Sequence, residues 1–259
     1  MADYRPMNKD NKAFLEYVLK MYEGQEIDPR FADTDRITID LPGLPGFIVK
    51  KFVYSPDHVN VAMAWPRFIA ERAKDKSFLE VGTGTGICAI YVALHGNPKN
   101  VVATDISPLA VTNCKENAKI YNLVKPYFDT READVFSAVS ENEKFDILFW
   151  NFPWNAQDDS IEDILVQHGL PVSKEKIWQL RAGLDQKYNG LKRFIAEGRD
   201  HLNPGGEILL GAGSPSRHDI IYGEAKRLGY KIEIASEQSM IIDKIGNQEA
   251  KVILYRLTR

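Results

Sequence analysis

The chain of 259 residues is poor in cysteine and has neither a long apolar run nor an excess of one charge. Its two cysteines, Cys88 and Cys114, are too few for a disulfide framework, which predicts a reduced, cytoplasmic protein. No stretch approaches the roughly 18 apolar residues of a membrane span, and residues 1–6 contain no apolar secretory signal. We therefore expect no membrane partner.

Basic and acidic residues nearly balance, at 33 and 36, which gives a net charge of −3. This balance argues against a broad phosphate-binding face and hence against a nucleic-acid partner. The five histidines are scattered, with no His-x-His or His-x-x-x-His pair. Because such short spacings are typical of metal ligands, we expect no metal site.

Apolar runs alternate with helical patterns from about residue 77 onwards, which predicts an α/β domain with a mostly parallel sheet. The predicted strands are Ser77–Val81, Val101–Thr104, Tyr127–Arg131, Phe145–Trp150, Glu207–Gly211, Lys231–Ala235 and Lys251–Leu257. The last two are joined by a short connection, so we expect them to pair antiparallel at the edge of the sheet.

Residues 1–58 are predicted to form a cover made of a helix and a hairpin. Residues 9–23 have the spacing of an amphipathic helix. Ile37–Leu41 and Phe47–Val53 flank a loop rich in proline and glycine and read as a β-hairpin.

The main domain is predicted to span residues 59–259 and to begin with a helix over Val59–Ala73. Within it, residues 155–200 are charged and helical in pattern, and too long for a simple loop between a strand and a helix. We expect this interval to be a lid-like insertion.

The run Gly82-Thr83-Gly84-Thr85-Gly86 joins the first predicted strand of the sheet to a helix. Glycines there allow a tight turn and a close approach of backbone to a ligand, and the helix start offers free N–H groups. Residues 84–89 also fit the dinucleotide pattern Gly-x-Gly-x-x-Ala, so an NAD site is an alternative.

Three acids shift the balance away from that alternative. Glu80 precedes the glycines and can meet a cationic ligand group. Asp105 ends the second strand, where a carboxylate can bind both ribose hydroxyls. Asp134 follows the third strand, where it can accept from an adenine amino group. Ile106 and Val135 stand beside these acids and complete the predicted cofactor site.

This set resembles class I S-adenosylmethionine (SAM) methyltransferases from about Tyr54 to the end of the chain. The resemblance implies a Rossmann-like, seven-stranded sheet with an antiparallel last strand, and SAM as the cofactor. The nearest branch modifies glutamine side chains of release factors or amino groups of bases. Segments 55–57, 183–185, 190–191 and 202–206 also resemble that branch.

Asn151-Phe152-Pro153-Trp154 resembles the Asn-Pro-Pro-Tyr signature of that branch, with phenylalanine at the first proline. In the resembled enzymes the asparagine orients a planar NH2 group and the aromatic ring stacks on it. Asn151 keeps the amide, and Trp154 keeps an aromatic face. Phe152 adds bulk and removes a fixed φ angle, so we expect a flat amide or base to fit poorly. The alternative is that Phe152 only packs in the core.

Asn151, Tyr188 and Ser214, with a helical N-terminal cover, also resemble the azetidine-2-carboxylate synthases, which use SAM as their whole substrate. The resemblance implies that Asn151 and Ser214 hold the amine and that Tyr188 stacks near the sulfur. Our lead hypothesis is therefore cyclisation of SAM to azetidine-2-carboxylate with release of methylthioadenosine, and a small-molecule substrate. The alternatives are conventional N-methyl transfer to a small molecule or a protein amide, and a binding module without catalysis.

Overall fold

The computed structural model describes Leu19 and residues 29–58, 62–242 and 248–259. Its strands are β1 (Arg36–Leu41), β2 (Leu44–Lys50), β3 (Ser77–Val81), β4 (Asn100–Asp105), β5 (Phe128–Glu132), β6 (Phe145–Asn151), β7 (Asn155–Gln157), β8 (Leu184–Gln186), β9 (Leu202–Gly213), β10 (Lys231–Ile242) and β11 (Gln248–Thr258). Its α-helices are α1 (Ala64–Ala70), α2 (Ile87–His95), α3 (Pro108–Ile120), α4 (Ile161–Gln167), α5 (Lys174–Arg181), α6 (Asn189–Gly198) and α7 (His218–Arg227). Short 3-10 turns cover Pro29–Phe31, Pro56–His58 and Arg199–His201.

Seven strands form the main sheet in the order β10-β11-β9-β6-β3-β4-β5. The pairs from β9 to β5 are all parallel, whereas β11 runs antiparallel to both β9 and β10. This confirms the predicted fold class, including the reversed last strand. The predicted strand Ser77–Val81 coincides with β3, and the predicted tail pair is correct although both strands are longer than expected.

The centre of the sheet is buried on both faces, as expected for parallel strands covered by helices. All five residues of β3 are buried. Leu79 lies beside Leu148 in the core layer that includes α6, and Phe78 lies beside Ile147 in the layer that includes α2. Because β3, β4 and β6 are parallel, their carboxyl ends meet at one edge, where ligands bind in such sheets.

The N-terminal hairpin is confirmed, since β1 and β2 pair antiparallel with a turn at residues 42–43. Its second strand is Leu44–Lys50 and not the predicted Phe47–Val53, so most of the predicted loop belongs to β2. Leu44 and Phe47 of β2 are fully buried in the layer that includes α2. The predicted helix over residues 9–23 lies outside the described residues apart from Leu19, and residues 59–61 of the predicted helix Val59–Ala73 do so as well. Of the described part of that second predicted helix, only Ala64–Ala70 forms α1, so the helix is shorter than predicted.

The interval 155–200 contains more than the helices that its sequence pattern indicates. β7 and β8 form a small parallel sheet, and α4 and α5 lie between them around a separate apolar cluster that includes Ile164, Leu165 and Leu180. By contrast, α6 packs its buried face on the main sheet. Strands of three residues are too short to give a periodic signal, which is why β7 and β8 were not predicted.

No helix within the described ranges is long and apolar enough to cross a membrane.

Candidate functional site

A cleft of about 500 Å³ opens at the carboxyl ends of β3, β4 and β6. It is lined by the loops that follow these strands and, on the other side, by the insertion between β7 and β8. The chain has four tryptophans, Trp65, Trp150, Trp154 and Trp178, and all of them line this cleft. The predicted glycine loop, acids and Asn151–Trp154 segment therefore meet in one place.

The turn after β3 is shaped by glycines with positive φ. At Gly82 a Cβ atom would lie 2.4 Å from Nε1 of Trp150, so a side chain is excluded there. At Gly84 a Cβ atom would meet nothing within 4 Å, which leaves backbone facing open cleft. Gly86 is the N-cap of α2 and packs against Cys114 instead of lining the cleft.

Glu80 is buried beneath this turn. One carboxylate oxygen accepts hydrogen bonds from Oγ1 of Thr83 at 2.7 Å and from the Ala89 N–H at 2.9 Å. Burial raises the pKa of Glu80 to about 8, although both hydrogen bonds act in the opposite direction. A cation bound in the cleft would favour the ionised carboxylate, as we expected for this position.

Asp105 joins the end of β4 to the glycine turn. Its two oxygens accept from the Gly84 and Ser107 N–H groups, both at 2.9 Å. Burial raises the pKa of this carboxyl, and the hydrogen bonds oppose that shift. Ile106 follows it on the cleft wall.

Asp134 and Val135 follow β5 at the far end of the cleft. Asp134 is paired with Arg193 of α6 at 2.9 Å, and both side chains are about half exposed. Val135 is buried with φ at +56°, a conformation that is an outlier for a β-branched residue. Arg193 itself was not predicted, because nothing in its local sequence separates it from the other charges of α6.

Asn151 ends β6 at the mouth of the cleft and is exposed. Its Oδ1 accepts a hydrogen bond from Nε1 of Trp154 at 3.1 Å. The Trp154 ring lies over Gly213, where a Cβ atom would come within 2.3 Å, and meets Trp65 edge to face. The Trp154 indole thus fixes the orientation of the Asn151 amide, with Oδ1 turned towards Nε1 of Trp154.

Phe152 is only 1% exposed and belongs to the core beneath the cleft. Its ring meets Tyr188 edge to face at 5.5 Å and Trp150 at 6.5 Å. Pro153, next in the chain, is buried on the cleft wall. Phe152 thus packs in the core, as in the alternative, and it lies in the wall of the cleft with almost no exposed surface.

Tyr188 and Ser214 are not brought to the cleft. Tyr188 is fully buried, and its hydroxyl donates to the Trp154 carbonyl and accepts from the Arg217 N–H at 3.1 Å. Burial raises its pKa to about 12. Ser214 donates its N–H to the Lys251 carbonyl of β11 at 2.8 Å, and its Oγ accepts from the Lys251 N–H at 3.3 Å. Neither residue lines the cleft, so the predicted set of Asn151, Tyr188 and Ser214 does not form.

The insertion supplies cleft residues that the sequence analysis did not single out. Glu162 of α4 and Trp178 and Arg181 of α5 line the cleft together with Asn151. Their only sequence signal was their place in an interval too long for a loop. Within the described part of the chain, no cluster of His, Cys, Asp and Glu could hold a metal ion.

Comparison with known proteins decides the family. The family model described as ribosomal protein L11 methyltransferase (PrmA) matches residues 62–166. A candidate protein N5-glutamine methyltransferase of Methanocaldococcus jannaschii is 31% identical over 179 residues, which cover 66% of this chain and 79% of that protein. The chain belongs to the class I SAM-dependent methyltransferase superfamily. It is an enzyme of the SAM alkyl-transfer type, and SAM is its cofactor.

One further relative and one solved structure of the same fold extend the comparison. The release factor glutamine methyltransferase of Cereibacter sphaeroides is 32% identical over 139 residues, which cover 52% of this chain and 46% of that protein. The chain thus spans about half the length of that relative. The solved complex structure of aTrm5 and tRNALeu has the same fold, with a TM-score of 0.56 at 16% identity, and the match covers 88% of this chain and 54% of that chain.

These relatives correct the predicted partners. We expected a small-molecule substrate, SAM alone in the lead hypothesis, and no nucleic acid. The named relatives act on glutamine in proteins or on a ribosomal protein, and a structure of the same fold holds a tRNA. The balanced charge of the chain therefore did not justify excluding macromolecules. Azetidine-2-carboxylate formation is not supported, and the conventional methyltransferase alternative is supported better.

The described residues of this methyltransferase fit SAM. The open space at Gly84 would be filled by a Cβ atom in any other residue, so the turn leaves a cradle for a ligand. Two buried carboxyls, Glu80 and Asp105, face the same cleft, which suits a ligand that carries positive charge and hydroxyl groups.

Proposed function

We propose that this enzyme methylates a side-chain amide nitrogen of a protein, with glutamine as the target residue. The single observation that carries the proposal is the orientation of Asn151, whose Oδ1 is held by the Trp154 indole at the cleft. An amide oxygen has two acceptor positions, so the second can receive an N–H of a planar acceptor amide. The relatives named for glutamine methylation support the same substrate class.

The packing of Phe152 supports this reading. Because its ring is 1% exposed and packs against Tyr188 and Trp150, it leaves little of its surface at the cleft wall. The departure from the resembled Asn-Pro-Pro-Tyr signature is thus compatible with a flat acceptor group.

The acceptor end of the cleft has the character of a polypeptide site. Trp65, Trp154 and Trp178 supply large, rigid aromatic surfaces there. Glu162 and Arg181 add one charge of each sign beside them. Such a mixture of aromatic and polar surface suits a peptide segment better than a small apolar molecule.

We further propose the roles of individual residues. SAM, when bound, supplies an electrophilic methyl carbon. The glycine turn with Thr83, the carboxylates of Glu80, Asp105 and Asp134, and the neighbouring Ile106 and Val135 hold it. Asn151 aims the acceptor nitrogen, with Pro153 and Trp154 forming the wall beside it, and alignment of that nitrogen provides most of the catalysis. We also propose that residues 1–58 cover the domain of residues 59–259, with the insertion facing the acceptor.

The test is methyl transfer from radiolabelled SAM to purified release factor and to ribosomal protein L11, with the modified residue located by mass spectrometry. We expect one methyl group on a glutamine and production of S-adenosylhomocysteine (SAH) that depends on the acceptor. Asn151→Ala should lower kcat by about a hundredfold, because the nitrogen is no longer aligned. Its stability should be unchanged, because Asn151 is exposed.

Two results would contradict the proposal. One is methylation of neither protein at glutamine while another residue type or a nucleic acid is modified. The other is consumption of SAM to methylthioadenosine without any acceptor, at a rate that Asn151→Ala abolishes. Asp105→Ala serves as the control that weakens SAM binding without touching the acceptor.

A further inference from the structure

Two buried asparagines on α3 close the free edge of the N-terminal hairpin. Asn113 and Asn117 are four residues apart, so they lie on the same face of the helix, and neither is exposed at all. A buried amide is unfavourable unless its donors and acceptor are hydrogen-bonded. The partners of these two side chains are therefore informative.

Both side chains bind the backbone of β2. Asn117 accepts from the Ile48 N–H at 2.7 Å and donates to the Ile48 carbonyl at 2.8 Å. Asn113 accepts from the Lys50 N–H at 2.8 Å and donates to the same Ile48 carbonyl at 2.9 Å. The two amides thus take the place of a neighbouring strand along this edge of β2.

Asn117 makes one contact more. Its Nδ2 also donates to the carbonyl of Thr85 at 2.9 Å, and Thr85 is a buried residue of the cofactor turn that lines the cleft. The hydrogen bonds of Asn113 among the described residues go to the hairpin. One side chain therefore connects β2 directly to the turn that faces SAM.

We propose that Asn117 is a positioning residue for SAM, through which the N-terminal hairpin sets the affinity of the cofactor turn. That turn has positive φ at Gly84 and Gly86, a conformation that few residues adopt and that needs support from outside the turn. The bond to Thr85 fixes its backbone between these two glycines. Binding is stronger when the groups that meet the ligand are ordered beforehand. The proposal concerns SAM binding and is independent of the acceptor.

The two asparagines provide a matched pair of variants. Asn113→Ala and Asn117→Ala each lose one hydrogen bond from a β2 N–H and one to the Ile48 carbonyl, and only Asn117→Ala also loses the bond to Thr85. Both should lower the urea midpoint of unfolding, Asn117→Ala somewhat more because it loses one hydrogen bond more. The Kd for SAH, measured by calorimetry, should rise about three- to tenfold in Asn117→Ala and stay unchanged in Asn113→Ala. The KM for SAM should follow the Kd, with kcat unchanged at saturating SAM.

Equal weakening of SAH binding in both variants would overturn the proposal, since stability of the hairpin alone would then control affinity. Unchanged SAH binding in Asn117→Ala would overturn it as well. If circular dichroism shows that either alanine variant does not fold, the same pair is measured in trimethylamine N-oxide, an osmolyte that favours the folded state. The same two results then count against the proposal.

Discussion

Replacing Phe152 tests whether this residue only packs in the core or also selects the acceptor. Phe152 is 1% exposed, so Phe152→Ala should remove a buried ring and destabilise the protein by about 3–5 kcal/mol. The edge-to-face contacts with Tyr188 and Trp150 account for about 0.5–1.5 kcal/mol each within that loss. Phe152→Leu keeps most of the volume but loses both ring contacts, so it should cost about 1–3 kcal/mol.

The assay is urea unfolding followed by far-ultraviolet circular dichroism, together with the Kd for SAH and the kinetics of methyl transfer. Phe145→Leu is the matched control, because Phe145 begins the same strand β6 in the same core layer, away from the cleft. We expect both leucine variants to lose similar stability and to keep the KM for the acceptor. A changed acceptor KM in Phe152→Leu alone would refute our reasoning and return Phe152 to the substrate pocket.

Three other substitutions test the site. Asp105→Ala should raise the Kd for SAH by about 10- to 100-fold in calorimetry, because hydrogen bonds to a charged group are lost, and unchanged binding would contradict our ribose assignment. Between about pH 5 and 8 folded Glu80 holds its proton while the unfolded carboxyl is ionised, so the free energy of unfolding should fall as pH rises, by at most about 1.4 kcal/mol per pH unit. In Glu80→Gln the free energy of unfolding, measured with urea, should depend less on pH. If the parent and the variant show parallel pH profiles, Glu80 is not the group that causes the slope. Tyr188→Phe leaves the Trp154 carbonyl and the Arg217 N–H without their partner and should cost about 1–3 kcal/mol while lowering kcat more than it changes KM. A change in KM alone would instead indicate direct substrate contact.

The sheet and the cofactor site could be predicted because their signals are local. A buried run such as Ser77–Val81 followed by alternating glycines specifies a strand and a tight turn, whatever the rest of the chain does. Asp105 and Asp134 follow strands of the same parallel sheet, so the position of each is implied by the strand before it. The N-terminal hairpin has the same kind of local signal.

The direction of side chains beyond β6 could not be predicted, because it depends on distant packing. From the sequence we expected the bulk of Phe152 to hinder a flat acceptor. Only its contact with Tyr188 in the structure shows that its ring packs in the core. Tyr188 in turn is buried by a left-handed backbone at residues 187–188, which the sequence does not signal. A usable signal was missed in α3, where Asn113 and Asn117 share the face that carries buried Cys114.

All four tryptophans of the chain line one cleft, so the tryptophan fluorescence of this protein reports on that cleft. Emission from Trp65, Trp150, Trp154 and Trp178 responds to changes within a few ångströms of the cofactor and acceptor, so ligand binding can be followed without a label. The same emission is nearly blind to the distant edge of the sheet at β10. Loosening of the α4–α5 insertion would therefore shift fluorescence while circular dichroism still records an intact sheet, and the two melting curves would separate.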